Sequence, residues 1–253
     1  MSRSHLFLAT ALFALCACQK PLDAKLTAGD TAARQGKWEL ARTAWSDATQ
    51  LDPKSSIAFV KLGIAHWELG QKDEAAGAWT TALSIEPNAE DALSALARFD
   101  LERQDAGAAV DRLAAIQAPL TAEFERMRAQ ALLARGLPDD AAAALAAAQH
   151  ALFLSPQDPE AEYLVGSAQI ALRRFSDAQG TLEALQRRKP ELPLGSYGLA
   201  RLAAAQSRQT DALLHLSAAR AAAGSSWNPD RVAADPAFAF LATAPEFKAL
   251  VSK

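Results

Sequence analysis

Residues 36–53 read GKWELARTAWSDATQLDP and residues 70–87 read GQKDEAAGAWTTALSIEP. Superposed, they match at Gly36 and Gly70, Ala41 and Ala75, Ala44-Trp45 and Ala78-Trp79, Ala48 and Ala82, and Pro53 and Pro87, each pair 34 residues apart. Upstream, AKLTAGDTAARQ and AFVKLGIAHWEL place Gly29 and Gly63 at the same distance of 34. Self-similarity at such a period marks stacked structural repeats. Each half-unit has the length of a helix and carries apolar or small residues at steps of three and four. A turn at Gly36 or Gly70 separates the halves, and Pro53 or Pro87 closes the unit. The unit is a helical hairpin.

The spacing continues along the chain with defects. Gly166, Ala178, Leu182 and Pro190 form another unit, with Pro156 and Pro190 again 34 apart. Ala200, Ala212, Leu216 and Ala219 form a further one, with Gly224 where proline would stand. Between Pro87 and Pro156 two weaker units fit. The first ends early at Pro119, 32 residues on, and the second runs 37 residues with a second helix expected to be about one turn too long. Six hairpins are expected over roughly residues 22–224. Abundant alanine and few aromatics suit close helix packing.

These residues resemble the tetratricopeptide repeat, whose pattern W-x2-L-G-x2-Y, A-x3-F, A, P falls here on Phe59, Leu62, Gly63, His66, Ala75, Trp79, Ala82 and Pro87. The resemblance implies an all-α α-solenoid of about six hairpins, a right-handed superhelix whose concave face is lined by the first helices. It also implies which first-helix positions contact a partner: Ile57, Val60, Ile64, Trp67 and Glu68 in the second unit and Arg98, Leu101 and Glu102 in the third. The fourth supplies Glu123, Arg126 and Gln130, the fifth Tyr163, Ser167 and Ile170, and the sixth Tyr197 and Arg201. Aromatics and arginines dominate binding energy at interfaces, and Arg98, Arg126 and Arg201 favour an acidic segment or a carboxylate. The alternative is that Ile57, Val60 and Ile64 are covered by the anchor-proximal segment or by self-association.

The chain opens with MSRSH, the short apolar run LFLATALFAL, and LCAC. The run is too short to span a bilayer and sits where a secretory signal's apolar region belongs. Leu15-Cys16-Ala17-Cys18 resembles a bacterial lipobox, which implies cleavage after residue 17, acylation of Cys18 (palmitate among the chains) and a stable membrane anchor. The alternative is an ordinary signal peptide that ends near a cysteine. By the same resemblance, Gln19 implies delivery to the outer membrane, facing the periplasm. At the other end, residues 225–253 do not repeat. Asp235-Pro236 and Thr243 with Pro245 read as helix starts, and Phe238, Phe240, Leu241, Phe247, Leu250 and Val251 suit a C-terminal cap on the solenoid of residues 18–224.

Chemistry is sparse. The net charge is −3, which argues against a nucleic-acid binder. His66 takes the place of a packed aromatic, and His150 and His215 have no carboxylate or cysteine at metal-ligand spacing. Asp139-Asp140 and Glu123 with Glu125 sit at helix starts, where acids complement the dipole. No cofactor, metal site or catalytic set is expected. Three roles fit: a lipid-anchored scaffold binding a peptide or helix at the bacterial envelope, a pilotin-like factor assembling a type IV pilus or secretion secretin, or a small-ligand receptor or cryptic-site enzyme.

Overall fold

The computed structural model describes residues 21–116 and 121–252. Met1 to Lys20, including Cys18 and the leader, lie outside the described residues. The described residues fall into two compact units, divided between positions 118 and 119. Unit 1 holds α1 (21–34), α2 (Trp38–Leu51), α3 (Ser56–Glu68), α4 (Lys72–Ile85), α5 (Glu90–Glu102) and α6 (Ala106–Ala114). Unit 2 holds α7 (Ala122–Arg135), α8 (Asp140–Leu154), α9 (Pro159–Ala171), α10 (Phe175–Arg188), α11 (Pro193–Ala205) and α12 (Gln209–Ala223). These pair into six hairpins, as the spacing predicts, and among the described residues there is no strand.

The helix starts follow the capping rules. Ser55, Asp105, Thr121 and Asp158 each accept a bond from a first-turn backbone N–H, and Pro159 and Pro193 open their helices where no amide donor is needed. Inside the hairpins, small meets large. A Cβ on Gly63 would lie 2.3–2.8 Å from three atoms of the Trp79 ring, and one on Gly29 2.2–2.6 Å from Trp45. Each indole also donates to a backbone carbonyl, Trp79 to Val60 at 3.1 Å and Trp45 to Leu26 at 3.3 Å.

Every hairpin turn contains one residue of positive φ: Gly36, Gly70, Gln104, Gly136, Arg173 and Ser207. The left-handed conformation costs an L side chain about 1–2 kcal/mol, so glycine is expected there, yet three hairpins do without it. In the third hairpin α6 is 9 residues long against 14 for α2 and α4, which accounts for the early Pro119. In the fourth, the expected extra helical turn is not found. α8 has 15 residues, and it starts four residues after Gly136 where α2 and α4 start two after their glycines. The insertion lies mostly in the turn. Asp140, 4% exposed, closes that turn by accepting from Arg135 at 2.6 and 2.9 Å and from the Leu137 N–H at 2.9 Å. Its role is therefore more than complementing the helix dipole.

The tail folds as a 3₁₀ turn (Gly224–Ser226), α13 (Pro229–Ala233), a 3₁₀ helix (Pro236–Leu241) and α14 (Pro245–Val251). Asp235 caps its element through the Ala237 N–H, but the element is 3₁₀; Thr243 is not a cap, since Ala244 holds the N-cap of α14 without a side-chain bond. Phe238, Leu241, Phe247 and Leu250 are buried with Ala200, Ala203 and Leu216 of α11 and α12, whereas Phe240 remains 45% exposed. Trp227 and Arg220 donate to the carbonyls of Leu250 and Ala249 at 3.0 and 2.7 Å and tie α14 down.

Two stability changes follow. Gln104→Gly, Arg173→Gly and Ser207→Gly each raise the urea midpoint by the equivalent of about 0.5–1 kcal/mol, the left-handed penalty relieved less the added chain entropy. Gly63→Ala lowers it by about 1–3 kcal/mol through overpacking, and adding Trp79→Leu recovers part of the loss; equal midpoints for Gly63→Ala and wild type would refute the close packing.

Candidate partner-binding faces

The first helices present a face in each unit. On α3, residues seven apart share one side, and Ile57 and Ile64 are 53% and 38% exposed there. Trp67, half-buried, continues the line, its ring 5.6 Å from Trp79 and with Lys72 Nζ 5.1 Å from its centroid. Glu68 and Arg98 are exposed. Val60, expected on this surface, is not: at 6% exposure it packs with Trp79, Ala92 and Leu96, because α5 closes over that side of α3. Lys61 crosses to α1, pairing with Asp30 at 2.7 Å, and Lys72 pairs with Glu102.

In unit 2 the expected arginines are engaged internally. Arg126 reaches from α7 to the start of α9, where it pairs with Asp158 at 3.1 Å and with Glu160. Arg201 donates to the Tyr163 hydroxyl at 3.3 Å and lies 3.5 Å from the Asp235 carboxylate. Tyr197 donates to the same carboxylate at 2.6 Å, its ring 5.7 Å from Phe238 and 6.4 Å from Tyr163. The carboxylate that Arg201 and Arg126 attract is thus the chain's own. Ser167 is buried and bonds the Tyr163 carbonyl at 2.8 Å, and Ile170 is half-buried against the Leu182 cluster.

Pairings across hairpin helices were invisible to sequence spacing. His150 does have a carboxylate: Glu125, only 2% exposed, faces its Nδ1 at 2.7 Å from α7, with Arg128 at 3.8 Å. Glu125 is therefore a buried partner and not a solvated dipole complement. His66 is half-buried at the end of α3, 2.7 Å from the Gln71 amide oxygen.

Tandem helical hairpins with side-chain faces on their first helices, and a tail closing the last one, define a helical-repeat scaffold for protein–protein interaction. The chain belongs to the tetratricopeptide repeat family, whose profile matches residues 26–91 and 163–226, about half of its length. No curated protein sequence matches it. Among solved structures it is similar to PilW, a type IV pilus biogenesis factor, at 16% identity and a TM-score of 0.66, covering 91% of this chain and 98% of that one. It is also similar to Pseudomonas aeruginosa PilF, at 17% identity and 0.57, covering 81% and 92%. A third is YrrB, a TPR protein with an unusual peptide-binding site, at 16% identity and 0.58, covering 71% and 92%. At these identities the likeness is one of fold.

Burial, and then the bond to Asp235, push the Tyr197 phenol above its ordinary 10.0. A raised folded-state pKa means that the unfolded chain loses this proton first, so the associated stability is complete below pH 10 and is lost as pH rises beyond it. The urea midpoint falls from pH 10 upward more steeply in wild type than in Tyr197→Phe, by up to about 1.4 kcal/mol per pH unit. Parallel curves would remove the assignment.

Proposed function

We propose that the chain is a lipid-anchored adaptor of the bacterial envelope, held at the outer membrane through Cys18 and facing the periplasm, which captures a protein partner on the first-helix face of unit 1. Recognition, not catalysis, is its mechanism. The observation that carries the reading is the apolar strip Ile57, Ile64 and Trp67 on α3, more than a third exposed at both isoleucines. In unit 2, by contrast, Arg126, Tyr197 and Arg201 are engaged by the chain itself. The anchor reading is supported by the Leu15-Cys16-Ala17-Cys18 sequence and by its closeness to α1, whose first described residue is Pro21. Three residues span at most about 10 Å, so an acylated Cys18 would hold the first hairpin against the lipid.

A second reading, assembly of a type IV pilus or secretion secretin, is favoured by the fold shared with PilW over almost the full length of both chains. In that role the captured partner is the secretin or a subunit that meets it.

Tagged full-length protein, recovered in detergent from its native envelope, tests both. A dominant partner is expected that Ile64→Asp loses by about tenfold or more, the cost of setting a charge into an apolar contact, while Arg201→Ala keeps it. Retention by Ile64→Asp would rule out the unit 1 face. Labelled palmitate enters wild type and not Cys18→Ala; label in both would end the anchor reading. Loss of secretin multimers on deletion of the gene selects the second role, and unchanged multimers discard it.

A further inference from the structure

The 34-residue period sets equivalent residues of α1, α3 and α5 side by side. One row across the face reads Asp23, Ile57, Asp91, the next Asp30, Ile64, Arg98, and the last Ala33, Trp67, Leu101. Most basic groups of this face are paired with the chain's own acids; Arg34, the equivalent of Glu68 on α1, is exposed and among the described residues donates only to the Asp30 carbonyl. Lys61 is paired with Asp30, Lys72 with Glu102, and Arg98 is itself partnered. Asp23, Asp91 and Glu68 are exposed, and among the described residues none of the three makes a hydrogen bond or an ion pair. The charge left open around the apolar strip is therefore acidic on balance, Asp23, Asp91 and Glu68 against Arg34.

We propose that the partner segment is a basic amphipathic helix lying along α3. Its apolar side chains cover Ile57, Ile64 and Trp67, and its flanking Lys or Arg side chains meet Asp23 on one side and Asp91 on the other. This rests on the reading of the unit 1 face as the binding face. The helix follows from hydrogen bonding. The amides of α3 are bonded within the helix, and the isoleucine side chains offer no donor or acceptor. An extended segment laid on them would bury its own N–H and C=O groups unpaired, at about 1–3 kcal/mol each, whereas a helix arrives with them satisfied. The spacing agrees: seven residues on α3 span about 10.5 Å, two turns of a partner whose anchors fall at i, i+3 or i+4, and i+7. Lys61 ties α3 to Asp30 of α1, and Val60 shares its core with Ala92 and Leu96 of α5, so Asp23 and Asp91 belong to the two elements that flank the strip. The same carboxylates repel an acidic segment, which reverses the charge that the three arginines suggested in the sequence.

The test is selection of random peptides of about 16 residues, roughly 24 Å as a helix, on the full-length protein in detergent, with Ile64→Asp as the counter-target. Clones that depend on Ile64 are expected to carry apolar residues at i, i+3 or i+4, and i+7 with Lys or Arg on the flanks. Their binding weakens about tenfold or more in the Asp23→Lys, Asp91→Lys double variant and on raising the salt from about 0.05 to about 0.3 M, and selection on that variant shifts the flanks to Glu and Asp. Acidic or uncharged flanks, Pro- or Gly-rich extended sequences, indifference to the double variant, or no Ile64-dependent clone would each overturn the proposal. The adaptor reading stands apart from it: that fails only when Ile64→Asp retains the envelope partner.

Discussion

The indole of Trp79 lies where a β-carbon on Gly63 would be. With no side chain at Gly63, α3 and α4 close on each other, and the indole N–H bond to the Val60 carbonyl sets the rotation of α3 about its axis. Ala58, Val60, Gly63 and Ala65 are turned inward as a result. Ile57, Ile64 and Glu68 have nowhere to go but outward. The first hairpin repeats the contact with Gly29 and Trp45, and in unit 2 one leucine, Leu182, nests against Gly166 of its own hairpin and Gly198 of the next. Which residues a face offers to a partner is decided by these packing contacts behind it.

Long charged side chains then link neighbouring first helices: Lys61 to Asp30, and Arg126 to Asp158 and Glu160. Partly exposed pairs of this kind contribute only about 0–1 kcal/mol each. Their larger consequence is for recognition. A paired guanidinium must give up its carboxylate before it can take another, so the exchange gains little. Apolar surface has no such competitor, and burying an isoleucine side chain fully is worth about 1.5–3 kcal/mol. On the proposed reading, this difference favours the strip on α3 over the arginines.

The period, the hairpins and the Gly–Trp contact could be read from residues 36–87 because each residue type there has a single steric reason. The turns without glycine could not: Gln104, Arg173 and Ser207 adopt positive φ because the flanking helices require it, against their own preference. The fourth hairpin misled for a similar reason, since three inserted residues can enter a helix or a turn, and the Arg135–Asp140 pair that decided the matter shows only in space. Of the expected face residues, the outward exposure of Ile57 and Ile64 followed from register alone. Val60 did not, because its burial depends on α5, and Arg126 and Arg201 did not, because their acids come from α9 and the tail.

The tail bears on which face remains open. Where a seventh hairpin would pack, Phe238 and Leu241 fill the apolar side of α11 and α12, and Asp235 supplies the carboxylate for Tyr197 and Arg201. An outside ligand for that end of the array would have to match both contributions at once, and displacing the tail would expose Phe238, Leu241, Phe247 and Leu250 together. At about 1.5–3 kcal/mol for each large apolar side chain returned to water, that cost exceeds what a carboxylate exchanged at Arg201 returns. The last hairpin is in this sense already bound. A helix whose outward apolar residues have no such resident cover, as Ile57 and Ile64 have none among the described residues, keeps the apolar surface that the proposed partner would bury.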